Sequence, residues 1–242
     1  MSNATPIVFV VDDDFSVRES LSFLVESLGW QPETFGSGRA FLSRQPATTP
    51  SCLILDVLLP DLNGCDLQAQ IADRADMPII FISGYGDVPT TVRAMKAGAV
   101  EFFAKPFAND AIVEAIRNAI GRSRTALADI ADVRALRDRY ASLTLRERQV
   151  MALVVAGRLN KQVGSDLGIS EITVKAHRGR VMHKTNASSV CDLVRMASRL
   201  CLETGSEAWT DAAQPLPRPL STASHCARGL TSGSQLRWSS TQ

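Results

Sequence analysis

Through the first 120 residues, short runs that are almost wholly apolar alternate with segments of helical period. "PIVFVV" is followed by Val17, Leu21, Leu24, Val25 and Leu28, "SCLILDV" by a helical stretch from Gly64, "PIIFIS" by "VPTTVRAMKAG", and "EFFA" by "DAIVEAIRNAI". A strand that is apolar on both faces has to be covered on both faces. The alternation therefore predicts an α/β domain, a doubly wound, five-stranded parallel sheet sandwiched between helices. In such sheets ligands bind beyond the carboxyl ends of the strands. Asp12 and Asp13 end the first strand, Asp56 ends the third, Ser83 ends the fourth and Lys105 follows the fifth, so these polar residues converge on one edge.

Three consecutive aspartates at a strand end repel one another and raise one another's pKa. Taken singly, each polar residue has a plain reading: a solvated turn for the acidic run, Asp14 as the N-cap of the first helix, Ser83 as a turn hydroxyl, Lys105 as a surface charge. Their convergence at four strand ends points to chemistry instead. Asp13 and Asp56, with Asp12 acting through water, form a hard-oxygen set suited to Mg²⁺, which tolerates crowded carboxylates. A phosphoryl group arriving at Asp56 would meet the metal, the Lys105 ammonium and the Ser83 hydroxyl, which offset its charge. Asp56 is thus the candidate nucleophile and phospho-acceptor.

The net charge of +1 conceals an asymmetry, for residues 1–120 carry 8 Lys/Arg against 15 Asp/Glu while residues 143–203 carry 10 against 5. A cation-binding front half and a polyanion-binding back half follow. Residues 122–142 read as a helical linker, with Leu127, Ile130, Val133, Leu136 and Tyr140 at three- and four-residue steps that suit a packed or self-associating face, continuous with the helix before it. Residues 143–203 read as a small all-α domain of four helices. Thr144 and Glu147 form a capping box, Gly157 ends that helix, Asn160 caps the next, Gly168 breaks it, Ser170 caps the third and "ASS" precedes the fourth. Two short helices across a glycine turn make a helix-turn-helix. Within "EITVKAHRGRVMHKT", Val174 and Val181 point inward with Thr185 near them, whereas Ile172, Lys175, Ala176, Gly179 and His183 point outward. That face is small in its middle and suits a major groove of double-stranded DNA, with Lys175 at a base edge or phosphate, the Ala176 methyl against thymine, and Arg178, Arg180 and Lys184 toward phosphates. A solvated basic helix is the plain alternative. Residues 204–242, rich in Ser, Thr, Ala, Pro and Gly, read as a disordered tail. No apolar run reaches membrane-span length and the N-terminus lacks a secretory signal, which predicts a cytoplasmic protein with no membrane partner.

Residues 5–121 resemble a response-regulator receiver domain of flavodoxin-like fold, and "ISGYGDVPTTVRAMKAGAVEFFAKPF" is similar to that segment in the FixJ subgroup. The resemblance implies an acidic pair at Asp12 and Asp13, a phospho-acceptor at Asp56, a metal ligand in the Leu58 backbone carbonyl, a switch hydroxyl at Ser83, a switch aromatic at Phe102 and a phosphoryl-stabilising lysine at Lys105. It also implies a cis bond between Lys105 and Pro106. Residues 143–203 resemble a LuxR-type helix-turn-helix through "LTLRERQVM", "AGRLNKQVGSDLGIS" and "TVKAHRGRVMHK". That likeness assigns Lys161 to the DNA backbone and Lys175, Ala176 and Gly179 to bases. Two departures stand out: Gly164 and Ser165 replace helix-favouring residues at a cost of about 1 kcal/mol in helix propensity, and Thr185 replaces an apolar residue, which weakens packing.

Together these readings imply a two-component transcriptional regulator. A sensor histidine kinase would phosphorylate Asp56, and the chain would form a homodimer that binds DNA and engages RNA polymerase. One rival is a phosphatase working through an aspartyl-phosphate. Such enzymes place a second acid two residues beyond the nucleophile, where this chain has Leu58, so slow self-dephosphorylation is expected rather than turnover. The other rival is a phosphorylation-independent or ligand-gated DNA-binding regulator that retains the receiver fold.

Overall fold

The computed structural model describes residues 4–84 and 88–200, and the tail expected over residues 204–242 lies outside them. The first part alternates strands and helices: β1 Ile7–Val11, α1 Phe15–Ser27, β2 Gln31–Phe35, α2 Gly38–Leu42, β3 Ser51–Asp56, α3 Gly64–Gln70, β4 Ile79–Ser83, α4 Val88–Lys96 and β5 Glu101–Ala104. The five strands lie parallel in the order β2-β1-β3-β4-β5. Because side chains alternate along a strand, each inner strand feeds two cores. Phe9, Val11, Leu53, Leu55 and Phe81 pack with Phe41 of α2, Leu67 of α3 and Ala94 of α4. Val8, Val10, Cys52, Ile54, Ile80 and Ile82 pack with Leu21 and Val25 of α1 and with Ile112, Ile116 and Ile120 of the next helix. Burial on both faces is what the apolar runs required. It also buries the Cys52 thiol, whose pKa is pushed up to about 12.

That next helix, α5, runs unbroken from Asn109 to Ala141. Its first half lies on the sheet, where the buried Ser123 hydroxyl accepts the Ser51 amide proton. Its last turns place Tyr140 and Leu136 in a third core. The apolar stripe expected along the linker packs mainly at that end, since Ile130 is 52% exposed.

The third core belongs to α6 Leu145–Val155, α7 Asn160–Leu167, α8 Glu171–Thr185 and α9 Val190–Arg199. Three caps form as expected: Thr144 with Glu147, Ser170 with the Thr173 amide and Ser189 with Asp192. The hydroxyls and amides of Ser188 and Ser189 hold the Asp192 pKa down at about 2. Asn160 is not a cap. Leu159 occupies that position and its amide donates to Gln162 Oε1 at 2.9 Å, which frees Asn160 to accept from Arg178.

Gly164 and Thr185 each have a packing context in this domain. A Cβ on Gly164 would stand 2.7 Å from the Ile169 carbonyl oxygen, so this glycine lets the α7 to α8 turn close against the helix. Its helix-propensity cost accompanies a packing requirement. The buried Thr185 hydroxyl donates to the Val181 carbonyl oxygen at 2.7 Å, so this polar group is itself satisfied within the core.

Candidate acidic site and nucleic-acid interface

In the sheet order, β1 connects to β2 on one side and β3 to β4 on the other, so the chain leaves these two neighbouring strands in opposite directions and opens a crevice beyond their carboxyl ends. The aspartate run falls there and divides. Asp14 caps α1 by accepting the Ser16 amide at 2.8 Å. Asp12, fully buried, and Asp13, exposed, remain with Asp56, and carboxylate oxygens of the three lie within 4.8 Å of one another.

Lys105 arrives from the end of β5. Its amide donates to the Ser83 carbonyl oxygen at 2.7 Å, which ties the β5 exit to the end of β4, and the Lys105–Pro106 bond is cis. Its Nζ lies 2.6 Å from Asp12 Oδ2 and 2.6 Å from Asp56 Oδ2. Burial works against the Lys105 charge, yet the bonds to the two carboxylates together raise its pKa above the ordinary lysine value. Burial raises the Asp12 pKa above the usual carboxylate range, against the bonds from Lys105 and the Asp14 amide. The second Asp56 oxygen, Oδ1, accepts the Leu58 amide at 3.0 Å. The buried Ser83 ends β4 beside the Lys105 backbone, and the half-buried Phe102 ring stacks on Phe81 with centroids 6.2 Å apart.

The donor set fits magnesium: three hard carboxylates converge, and the exposed one, Asp13, opens the group to solvent. Two further residues support the site. Arg18, on the first turns of α1, donates through Nη1 to the carbonyl oxygens of Asp12 at 2.7 Å and Asp13 at 2.9 Å, pinning the aspartate loop. Gly64 brings the start of α3 against the Asp56 backbone. Neither carries a sequence signal, because an arginine on a helix and a glycine at a helix start are ordinary.

On the helical domain, Lys161, Lys175, Ala176, Gly179 and Arg180 are exposed. Lys175 lies 3.4 Å from Glu171 in a solvated pair. Two of the residues expected at phosphates also bond within the fold. Arg178 donates to Asn160 Oδ1 and joins α8 to the start of α7. Lys184 donates to Glu147 Oε2 at 2.7 Å and to the Ser142 carbonyl oxygen at 3.3 Å. Glu147 is 2% exposed. Burial would raise its pKa, but the bonds from Lys184 and Thr144 hold it below the ordinary value. The Lys184 ammonium is therefore spent on a buried carboxylate.

Comparison with known proteins follows the same division. The response regulator receiver domain family matches residues 8–117, and the LuxR family of bacterial regulatory proteins matches residues 141–197. The response regulator protein TodT of Pseudomonas putida is 44% identical over 201 residues, 83% of this chain and 88% of TodT. The transcriptional regulatory protein FixJ of Rhizobium meliloti is 44% identical over 191 residues, 78% of this chain and 94% of FixJ. The solved structure of the response regulator StyR, 42% identical, aligns with a TM-score of 0.71 over 81% of this chain and all of that one.

Proposed function

Because the chain belongs to the two-component response regulators that join a receiver domain to a LuxR-type DNA-binding domain, we propose that a histidine kinase phosphorylates Asp56 and that the phosphoryl group promotes DNA binding by a dimer. We divide the chain into a receiver over residues 5–121, a linker over 122–142 and a DNA-binding domain over 143–203, working in the cytoplasm. The observation that carries this reading is the Lys105 ammonium held 2.6 Å from both Asp12 and Asp56 at the open sheet edge.

The chemistry is a displacement at phosphorus. A carboxylate oxygen of Asp56 attacks a kinase phosphohistidine, the P–N bond breaks, and its electron pair returns to the imidazole nitrogen. Lys105, already poised between two carboxylates, turns its charge to the new phosphoryl oxygens. Ser83 donates its hydroxyl to another of them. Asp12, Asp13 and Asp56, with the Leu58 carbonyl, would hold magnesium, which when bound offsets the phosphoryl charge. A second acid at the position of Leu58 would activate water for turnover, and leucine cannot, so the group leaves slowly.

The signal travels because the end of β4 and the exit of β5 share a hydrogen bond. As Ser83 closes on the phosphoryl group, Phe102 closes further onto Phe81 and the α4 to β5 surface changes. The phosphoryl group favours this state only by the extra contacts it makes there. Two copies then present paired α8 helices to DNA half-sites, with Lys175, Ala176 and Gly179 at bases and Lys161 and Arg180 at phosphates.

The test compares wild type with Asp56→Asn, each with and without a small-molecule phosphoryl donor and Mg²⁺, for DNA affinity and for mass in solution. The reading predicts a donor-dependent gain in affinity and a dimer in the wild type alone. Equal DNA affinity in all four conditions would favour the phosphorylation-independent regulator instead.

A further inference from the structure

On α8 the buried residues Val174, Val181 and Thr185 define an inward face. At about 100° per residue, Ile172 lies opposite Val181 and shares a stripe with Ala176, Gly179 and His183. The middle of that stripe is shallow, since Ala176 offers one methyl and a Cβ on Gly179 would meet nothing within 4 Å. Ile172 stands at its N-terminal end, 80% exposed, more than any other large hydrophobic residue described. The turn that carries it is fixed, for Ser170 Oγ accepts the Thr173 amide at 3.1 Å and lies 2.8 Å from the Thr173 hydroxyl.

A single apolar residue on a surface is common and by itself means little. Ile172 differs in where it stands. The N-terminal residues of a recognition helix are the ones that reach base edges in the major groove. There thymine alone presents a methyl group, and apolar side chains read it. The β-branch restricts χ1 in a helix, so the side chain is offered with little rotamer entropy left to lose. The nearby charged pair, Glu171 with Lys175, lies to one side of the stripe and leaves the apolar approach clear.

We propose that Ile172 is a specificity-determining residue that packs against a thymine C5-methyl group in the DNA site. This rests on the DNA-binding reading given above and adds to it the base that the first turn of α8 selects. Ala176, one turn further on, borders the same contact.

The test uses the full chain with a phosphoryl donor and Mg²⁺ to select sites from random DNA duplexes. Each thymine of a selected site is then replaced by deoxyuridine, which removes only the methyl, and affinities are measured for wild type and Ile172→Ala. Because Ile172 is exposed, the variant should melt with the wild type, and thermal denaturation checks this. At least one replacement should weaken wild-type binding by about fourfold, the factor that burying one methyl-sized group is worth, and should leave Ile172→Ala nearly unaffected. Equal losses in both proteins at every thymine, or no loss at any, would overturn the assignment while leaving the DNA-binding reading intact. If no sequence were enriched by selection, the DNA-binding reading would fall and the assignment with it.

Discussion

Replacing Gly64 by alanine tests how the phospho-acceptor strand is held. A Cβ there would lie 2.4 Å from the Asp56 carbonyl oxygen, 1.0 Å short of the 3.4 Å at which ordinary contact begins, and 3.1 Å from Val57 Cα. Neither neighbour can swing away, because both are backbone of the central strand or its exit. The Gly64 amide also donates to the Val57 carbonyl oxygen at 2.9 Å, which locks the helix start to that exit. Helix propensity favours alanine by at most about 1 kcal/mol. Forcing an extra carbon into packed backbone costs about 1–3 kcal/mol, here toward the upper end. The net loss should be about 2 kcal/mol, or about thirtyfold in the folding equilibrium. Urea unfolding followed by Trp30 fluorescence, in a Trp209→Phe, Trp238→Phe background, reads it directly. The midpoint should fall with an unchanged slope, and phosphoryl uptake should slow because the Asp56 backbone has shifted. A midpoint equal to or above the parent's would refute the reasoning.

Asp12→Asn should raise the thermal midpoint at pH 7 while weakening the response to Mg²⁺. Burial raises the folded-state pKa of Asp12 above the ordinary carboxylate value, so its contribution to stability is full below that ordinary value and is lost as pH rises through the folded pKa, leaving the ionised group a liability at neutrality. No gain in midpoint for the variant would count against that sign. In the wild type, Mg²⁺ at about a hundredfold excess over its dissociation constant should stabilise the fold by about 2.7 kcal/mol, and calorimetry of Asp13→Asn should show much of this gone. Lys184→Met should act on stability and Lys161→Met on DNA binding. The first strands the buried Glu147 carboxylate and should cost about 2–3 kcal/mol, less than a fully buried pair because Lys184 is partly exposed. The second should lower the salt dependence of DNA affinity by about one unit of slope. A salt-slope change from Lys184→Met with unaltered stability would restore Lys184 to the DNA face.

The central strands were legible because burial on both faces leaves an unbroken apolar run, and the site followed from where those runs end. Asp14 as cap and Asp12, Asp13, Asp56 and Lys105 as neighbours were all deducible from strand topology. The second strand has no local signal that locates it. Gln31–Phe35 lies at the sheet edge, partly exposed, with Pro32 inside it, and carries neither an apolar run nor clean alternation. The five-residue helix α2 was too short to show a period. Within the helical domain, glycine and threonine looked like defects at positions 164 and 185 because propensity scales do not know which backbone passes nearby. The charge of Lys184 is visible in the sequence, but its bond to Glu147, 37 residues away, is not.

Every step from kinase to DNA depends on one covalent event, and trapping it is the most direct test. The full chain is treated with a phosphoryl donor and Mg²⁺, then with borohydride, which reduces an aspartyl phosphate to homoserine, and the modified residue is located by peptide mass spectrometry. Homoserine at position 56, and nowhere else, is the predicted result. Homoserine at position 12 or 13, or none at any position while the donor still enhances DNA binding, would contradict it.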